Sequence, residues 1–251
     1  MRRDCEIITS QQLTETTYAI TMEAGEIAQR AAPGQFIHIR CGEERLLRRP
    51  ISICDVSGDH LIILFDVTGV GTRWLANRKS GVLDVLGPLG NGFRPEGRHV
   101  LAVGGGIGVP PLLLAAKKAS GRVSAVLGFQ TAGRIILADH FRQVCEETHI
   151  TTDDGSYGEA GFVTAPLERC LESGAFDQVM SCGPRAMLRA VAMLSERYQV
   201  PCQVSLEERM GCGVGACLVC ACRVRENGTE RYGHVCKDGP VFNAAEVVWD
   251  A

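Results

Sequence analysis

The sequence has no large excess of either charge. Its 26 lysines and arginines stand against 29 aspartates and glutamates, a net charge of −3 at pH 7. That balance gives no electrostatic reason to expect nucleic acid or an anionic membrane surface as a partner. Long apolar runs are also missing. Stretches such as residues 109–116 (VPPLLLAA) stop far short of the roughly 20 residues a membrane-spanning helix needs. Residues 1–10 (MRRDCEIITS) carry two arginines but no apolar h-region, so the expectation is a cytoplasmic chain with no secretory leader. Internal repeats and low-complexity segments are absent too.

What remains is a chain of 251 residues, 45% hydrophobic and 22% charged, a profile that can bury sizeable cores. The length suits two domains, or two and a small appendage. Cysteine is the unusual component, at 12 residues. In a reducing compartment clustered cysteines more often bind metal than form disulfides. Five of them fall between residues 212 and 236. The other seven are scattered and read as small buried hydrophobes.

Three compositional zones are visible. Residues 6–98 hold six short runs of alternating or β-branched character (EIITSQQL, TYAITMEA, QFIHIR, PISICDV, HLIILFDV, VLDVLGPL), separated by Gly, Pro and Asp turns. Six strands at this spacing predict a small antiparallel barrel, with one short helix from Trp74 closed by Gly81. Residues 99–200 alternate strands and helices, starting with HVLAVGGGIG and PPLLLAAKKASG and including a helix over ILADHFRQVCEE. That alternation predicts a parallel, doubly wound sheet. From Pro201 the chain turns Cys- and Gly-rich. About 50 residues are too few for a robust core of their own, and a metal centre is a natural organiser. The expected domains are therefore 1–98, 99–200 and 201–251, in a mixed fold: antiparallel β-barrel, α/β nucleotide-binding domain and small metal-bearing domain.

The cysteine spacing is the most specific signal. Four residues separate Cys212 from Cys217, and two separate Cys217 from Cys220. This is the C-x4-C-x2-C spacing of plant-type [2Fe–2S] sites. Gly211, Gly213 and Gly215 let a tight loop point N–H groups at the sulfurs. The fourth ligand should come from a distant segment. Cys236 fits, because Cys222 follows Cys220 too closely on an apparent strand. The competing reading is structural zinc, which usually pairs two C-x2-C units, and only one is present here.

Two further segments look like nucleotide sites. Gly104, Gly105, Gly106 and Gly108, followed by Val109-Pro110-Pro111, join a strand to a helix, a turn that can bring backbone close to a pyrophosphate. A plain strand–helix turn is the bland alternative. No Asp or Glu closes the next strand to take a ribose hydroxyl, so NAD and NADP are not distinguished. Cys182-Gly183-Pro184 is a second turn at the same sheet edge. Arg48-Arg49-Pro50-Ile51-Ser52 places Arg and Ser on a barrel strand, where they could hold a phosphate or form a solvated edge.

In order, these segments (Arg49-Pro50-Ile51-Ser52, Gly71-Thr72, GPLGNGF at 87–93, GGGIGVPP, CGP and the cysteine loop) resemble the ferredoxin–NADP reductase superfamily over essentially the whole chain. Within it the chain resembles the electron-transfer subunits of NAD-dependent (type B) dihydroorotate dehydrogenases. The most specific stretches are ERMGCGVGACLVCACRV and HVCKDGPVF. The resemblance implies FAD between barrel and nucleotide domain, contacted by Arg49, Pro50, Ile51, Ser52, Leu64, Phe65, Asp66, Gly71 and Thr72. It implies a [2Fe–2S] cluster on Cys212, Cys217, Cys220 and Cys236, and NAD as substrate at the glycine turn and at Cys182-Gly183-Pro184. The family often has a basic residue where this chain has Asp66, and an acid cannot pair with phosphate. Electrons would pass from an FMN-containing catalytic subunit, which oxidises dihydroorotate for pyrimidine biosynthesis, through the cluster and FAD to NAD+. Two copies of each subunit are implied. No residue is nominated as a general acid or base. A related reductase subunit, serving a ferredoxin-linked transhydrogenase or a sulfur reductase, and a non-enzymatic ferredoxin-like carrier are the alternatives.

Overall fold

The computed structural model describes residues 1–44 and 46–249. Six strands close the N-terminal barrel: β1 (Arg2–Gln12), β2 (Thr17–Glu23), β3 (Phe36–Ile39), β4 (Arg49–Ser57), β5 (His60–Asp66) and β6 (Val82–Leu89). The order around the barrel is β1-β2-β5-β4-β3-β6, every pair antiparallel. Alternation produces this closure. Ile20, Met22, Ile37, Ile39, Ile53, Ile63 and Leu83 all turn into one core and are essentially inaccessible. Each such side chain contributes roughly 1.5–3 kcal/mol by burial.

Short helix α1 (Glu26–Gln29) caps the barrel, and α2 (Val70–Ala76) follows β5. The helix expected from Trp74 thus starts earlier, at Val70. Thr72 explains the difference: its hydroxyl accepts the N–H groups of Thr68 (3.0 Å) and Gly69 (3.1 Å) and donates to the Gly69 carbonyl (3.2 Å). Those bonds satisfy the first turn of the helix ahead of its apolar face.

The second unit is built on β7 (His99–Gly105), β8 (Arg122–Phe129), β9 (Glu147–Thr152), β10 (Glu159–Ala160), β11 (Gln178–Cys182) and β12 (Cys202–Ser205). Its helices are α3 (Pro110–Lys118), α4 (Ala138–Val144), α5 (Thr164–Glu172) and α6 (Arg185–Arg197). The helix read over residues 136–147 is shorter than expected. Cys145 is already extended, and Glu147 begins β9, paired with Ser124 of β8. The last elements are the hairpin β13 (Ala221–Glu226) and β14 (Thr229–His234), and β15 (Val241–Asn243). The sheet order is β10-β9-β8-β7-β11-β12-β15, parallel except for the final pair. Strands β12 and β15 extend this sheet with residues from beyond Pro201, so the cysteine-rich region is anchored to it.

Helix α3 ties barrel and sheet together. Two prolines open it, a position where their missing N–H costs nothing. All residues from Pro110 to Ala116 are buried. Leu112 and Leu113 share a core with Cys54 and Leu64 of the barrel, while Leu114 enters the barrel core itself. Lys117 pairs with Asp55 across the same seam. Among the described residues, no helix is long and apolar enough to cross a membrane.

Candidate functional site

The cysteine loop has backbone geometry that few residues other than glycine accept. Gly213 and Gly215 adopt φ of 75° and 83°, and Leu218 adopts 60°. These left-handed positions wind the loop inward, so its N–H groups point at sulfur rather than solvent. Val214 N–H and Ala216 N–H donate to Cys212 Sγ at 3.4 and 3.2 Å. Cys212 N–H donates to Cys217 Sγ at 3.3 Å, Gly215 N–H to Cys236 Sγ at 3.1 Å, and Cys236 N–H to Cys220 Sγ at 3.4 Å. All four proposed ligands therefore receive backbone donors, the arrangement that stabilises thiolates. Burial opposes ionisation of Cys212, but the N–H groups of Val214, Cys217 and Ala216 outweigh it and bring the thiol down to about 6. At Cys236, burial and the neighbouring Cys220 thiol push the value up to about 12, against the Gly215 donor.

Backbone N–H to sulfur bonds link the cysteines in two pairs, Cys212 with Cys217 and Cys236 with Cys220. Two linked cysteine pairs suit the two irons of a [2Fe–2S] centre. Cys222, the other candidate for fourth ligand, faces the core with Val224 on β13. Burial raises its thiol to about 11.

The loop is held against the barrel by the GPLGNGF segment. Asn91 donates from its side-chain amide to the carbonyls of Lys237 (3.1 Å) and Asp238 (3.0 Å), and its backbone N–H reaches Gly239 at 2.6 Å. Two stretches nearly 150 residues apart thus form one clamp directly behind Cys236.

On the barrel, Arg49 lies over the start of α2. A Cβ at Gly71 would fall 2.4 Å from Arg49 Nε, so glycine is what lets the guanidinium reach Gly71-Thr72. Pro50 and Ser52 are half-exposed on the outer face of β4, while Ile51 turns into the barrel. Leu64 and Phe65 have buried side chains, Leu64 under α3 and Phe65 in the barrel core stacked on Tyr18 at 6.1 Å. Only their backbone can face a ligand. Asp66 accepts a hydrogen bond from Thr17 Oγ1 (2.5 Å) and pairs with Arg134 at 3.3 Å. Arg134 comes from the nucleotide domain, just past β8, and also donates to Thr16. A cation is therefore present beside Asp66 after all, delivered from another part of the chain.

The two turns of the sheet meet. Cys182 of β11 stands opposite Gly104 of β7, and a Cβ at Gly108 would lie 2.4 Å from the Cys182 carbonyl. Gly105 is overlain by Met187 and Pro184, at 2.5 and 3.1 Å from its Cβ position. Gly106, at φ 53°, has open space in front of it. This edge is where strand order reverses, with β8 on one side of β7 and β11 on the other. Open α/β sheets bind nucleotides at such a crevice. Arg134, Asn91, Met187 and His38 were not singled out by sequence. Each contacts a partner distant in sequence.

A model of the iron–sulfur cluster binding domain of dihydroorotate dehydrogenase B matches residues 207–248. The dihydroorotate dehydrogenase B (NAD(+)) electron transfer subunit of Bacillus caldolyticus is 46% identical to this chain over 98% of both. The chain belongs to that family. The counterpart from Caldanaerobacter subterraneus subsp. tengcongensis is 41% identical over 97% of both chains. Among solved structures, a NADH-dependent reduced ferredoxin-NADP oxidoreductase, described for flavin-based electron bifurcation, is similar at a TM-score of 0.87 and 32% identity, over 98% of this chain and 90% of that one. A ferredoxin NADP+ reductase from Neisseria gonorrhoeae with bound FAD and NADP shares the fold, at a TM-score of 0.66 and 15% identity over 78% and 91%.

Proposed function

We propose that this chain is the electron-transfer subunit of an NAD-dependent dihydroorotate dehydrogenase, joining an FMN-containing catalytic subunit to NAD+. The observation that carries this is the position of the four-thiol loop. It packs on the same barrel face whose next strand, β4, bears Pro50 and Ser52. A cluster there would adjoin the flavin, and the glycine crevice lies at the edge of the neighbouring sheet. When bound, the cluster passes single electrons and FAD exchanges them with NAD+ in pairs.

The chain's own residues bind and orient. Cys212, Cys217, Cys220 and Cys236 would hold the cluster. Arg49, with Gly71 and Thr72, would take the FAD pyrophosphate. Pro50, Ile51, Ser52 and the backbone of Leu64, Phe65 and Asp66 would line its flavin and ribose. Gly104, Gly105, Gly106 and Gly108, with Cys182, Gly183 and Pro184, would accept the nicotinamide dinucleotide. No side chain needs to move a proton. The partner would meet the cysteine loop, whose tip carries exposed Val214, Leu218 and Val219, a small apolar patch. We read the assembly as cytoplasmic, with two copies of each subunit. We read the domain limits as 1–98, 99–200 and 201–251, with β12 and β15 lending the last unit's support to the sheet.

Reconstitution tests this reading. With the dehydrogenase subunit, dihydroorotate and NAD+ should yield orotate and NADH at equal rates. No NADH formation from a fully loaded pair would refute it. The likeness to the reduced ferredoxin-NADP oxidoreductase favours one second reading, a subunit serving reduced ferredoxin. Under that reading reduced ferredoxin, and not dihydroorotate, would drive nucleotide reduction.

A further inference from the structure

Strand β3 alternates strictly. Ile37 and Ile39 enter the barrel core, while Phe36 and His38 face the C-terminal unit. Phe36 belongs to the core that contains Cys220 and Cys236. His38 lies under the cysteine loop: a Cβ at Gly213 would sit 2.8 Å from both Cε1 and Nδ1 of its ring. The same face continues onto β4, where Pro50 stands opposite His38 and Ser52 opposite Phe36. Opposed residues on antiparallel strands share a face, with Cβ atoms about 4.5–5.5 Å apart. His38 therefore stands between the flavin-bearing strand and the thiol loop.

The ring is fully buried, yet neither of its nitrogens has a hydrogen-bond partner among the described residues. It packs edge-on against Phe36 at 5.7 Å, which satisfies neither nitrogen. Buried polar atoms are rarely left this way, because an unmet donor is costly. Burial and then Arg48, whose guanidinium donates to the His38 carbonyl (3.4 Å), push the imidazole down to about 4. The ring has an N–H to give whether neutral or protonated. The edge carrying Nδ1 faces Gly213, next to Cys212.

We propose that His38 donates an Nδ1–H hydrogen bond to the iron–sulfur cluster and so sets its reduction potential. This rests on the four thiols holding that cluster. Reduction adds negative charge to the cluster, so an N–H donor aimed at its sulfur favours the reduced form. A hydrogen bond to a charged group shifts such an equilibrium by roughly tenfold, or about 59 mV for one electron.

The test is an EPR-monitored redox titration of the holo-subunit complex, with iron counted in every sample. His38→Phe should keep its iron and lower the cluster's reduction equilibrium by roughly tenfold. His38→Asn, whose amide occupies the place of Nδ1, should keep the wild-type potential. His38→Gln, which imitates Nε2 instead, should behave like His38→Phe. A wild-type potential in iron-replete His38→Phe or His38→Gln would overturn the proposal. If His38→Phe does not fold, the contrast between the Asn and Gln variants decides, and equal potentials in those two would overturn it. Absence of iron from the wild-type chain would instead refute the cluster reading on which the proposal rests.

Discussion

Removing the Arg134 guanidinium should loosen the seam between barrel and nucleotide domain, by an amount that depends on Asp66. The two side chains are 3.3 Å apart and are 33% and 18% exposed. At that separation the gross attraction is about 5 kcal/mol for an effective dielectric of about 20. Desolvation and side-chain ordering cancel most of it, and fully exposed pairs net only about 0.2–1 kcal/mol. This pair is half-sheltered, and Thr17 holds the carboxylate in place at 2.5 Å. A net coupling of about 1 kcal/mol is therefore expected, at the upper end of that range. Arg134→Met, Asp66→Asn and the double variant form the cycle. Asp66→Asn retains the Thr17 contact, so it removes charge and little else. The double variant should be less destabilised than the sum of the singles by about 1 kcal/mol, or roughly 2–4 °C in Tm for a chain of this size. Thermal melts at one fixed FAD concentration would measure it. Additivity of the two single changes within about 0.3 kcal/mol would refute the reasoning.

Four other outcomes are expected. Cys220→Ser should lose cluster iron while NADH still reduces the flavin, and Cys222→Ser should keep its iron; iron analysis with an absorbance spectrum checks both. Asn91→Ala removes two donors to the 237–238 carbonyls, costs about 1–2 kcal/mol and should speed proteolysis in the cysteine loop. Gly108→Ala places a methyl 2.4 Å from the Cys182 carbonyl and should raise the KM for NADH at least tenfold, with flavin and iron contents unchanged. His99 is held below its ordinary 6.5, first by burial and then by Arg122. Its stabilising contribution is complete above pH 6.5 and declines as pH falls, because the unfolded chain takes up the proton first. His99→Gln should therefore flatten the fall in Tm between pH 7 and 5.

The parts of this molecule legible in sequence are those that depend on local pattern. The six barrel strands follow from alternation, the cysteine loop from spacing, and the phosphate-type turn from glycines between a strand and a helix. What was hidden depends on partners distant in sequence. Asp66 looked anomalous because its cation, Arg134, lies 68 residues away. Leu64 and Phe65 read as ligand contacts, but α3 and Tyr18 claim their side chains. His38 carried no signal at all, since one histidine among isoleucines looks like any half-buried strand residue. The early start of α2 came from the Thr72 hydroxyl bonding back to Thr68 and Gly69 at the helix's first turn, which no apolar periodicity reveals.

The central claim is that one chain links NADH to an iron–sulfur cluster through a flavin. The direct measurement is anaerobic addition of NADH to the purified chain, followed at once by absorbance and EPR. Flavin bleaching should be accompanied by the signal of a reduced [2Fe–2S] cluster, and Cys220→Ser should show the bleaching without the signal. A chain that holds its iron but shows neither flavin bands nor a response to NADH would contradict the account.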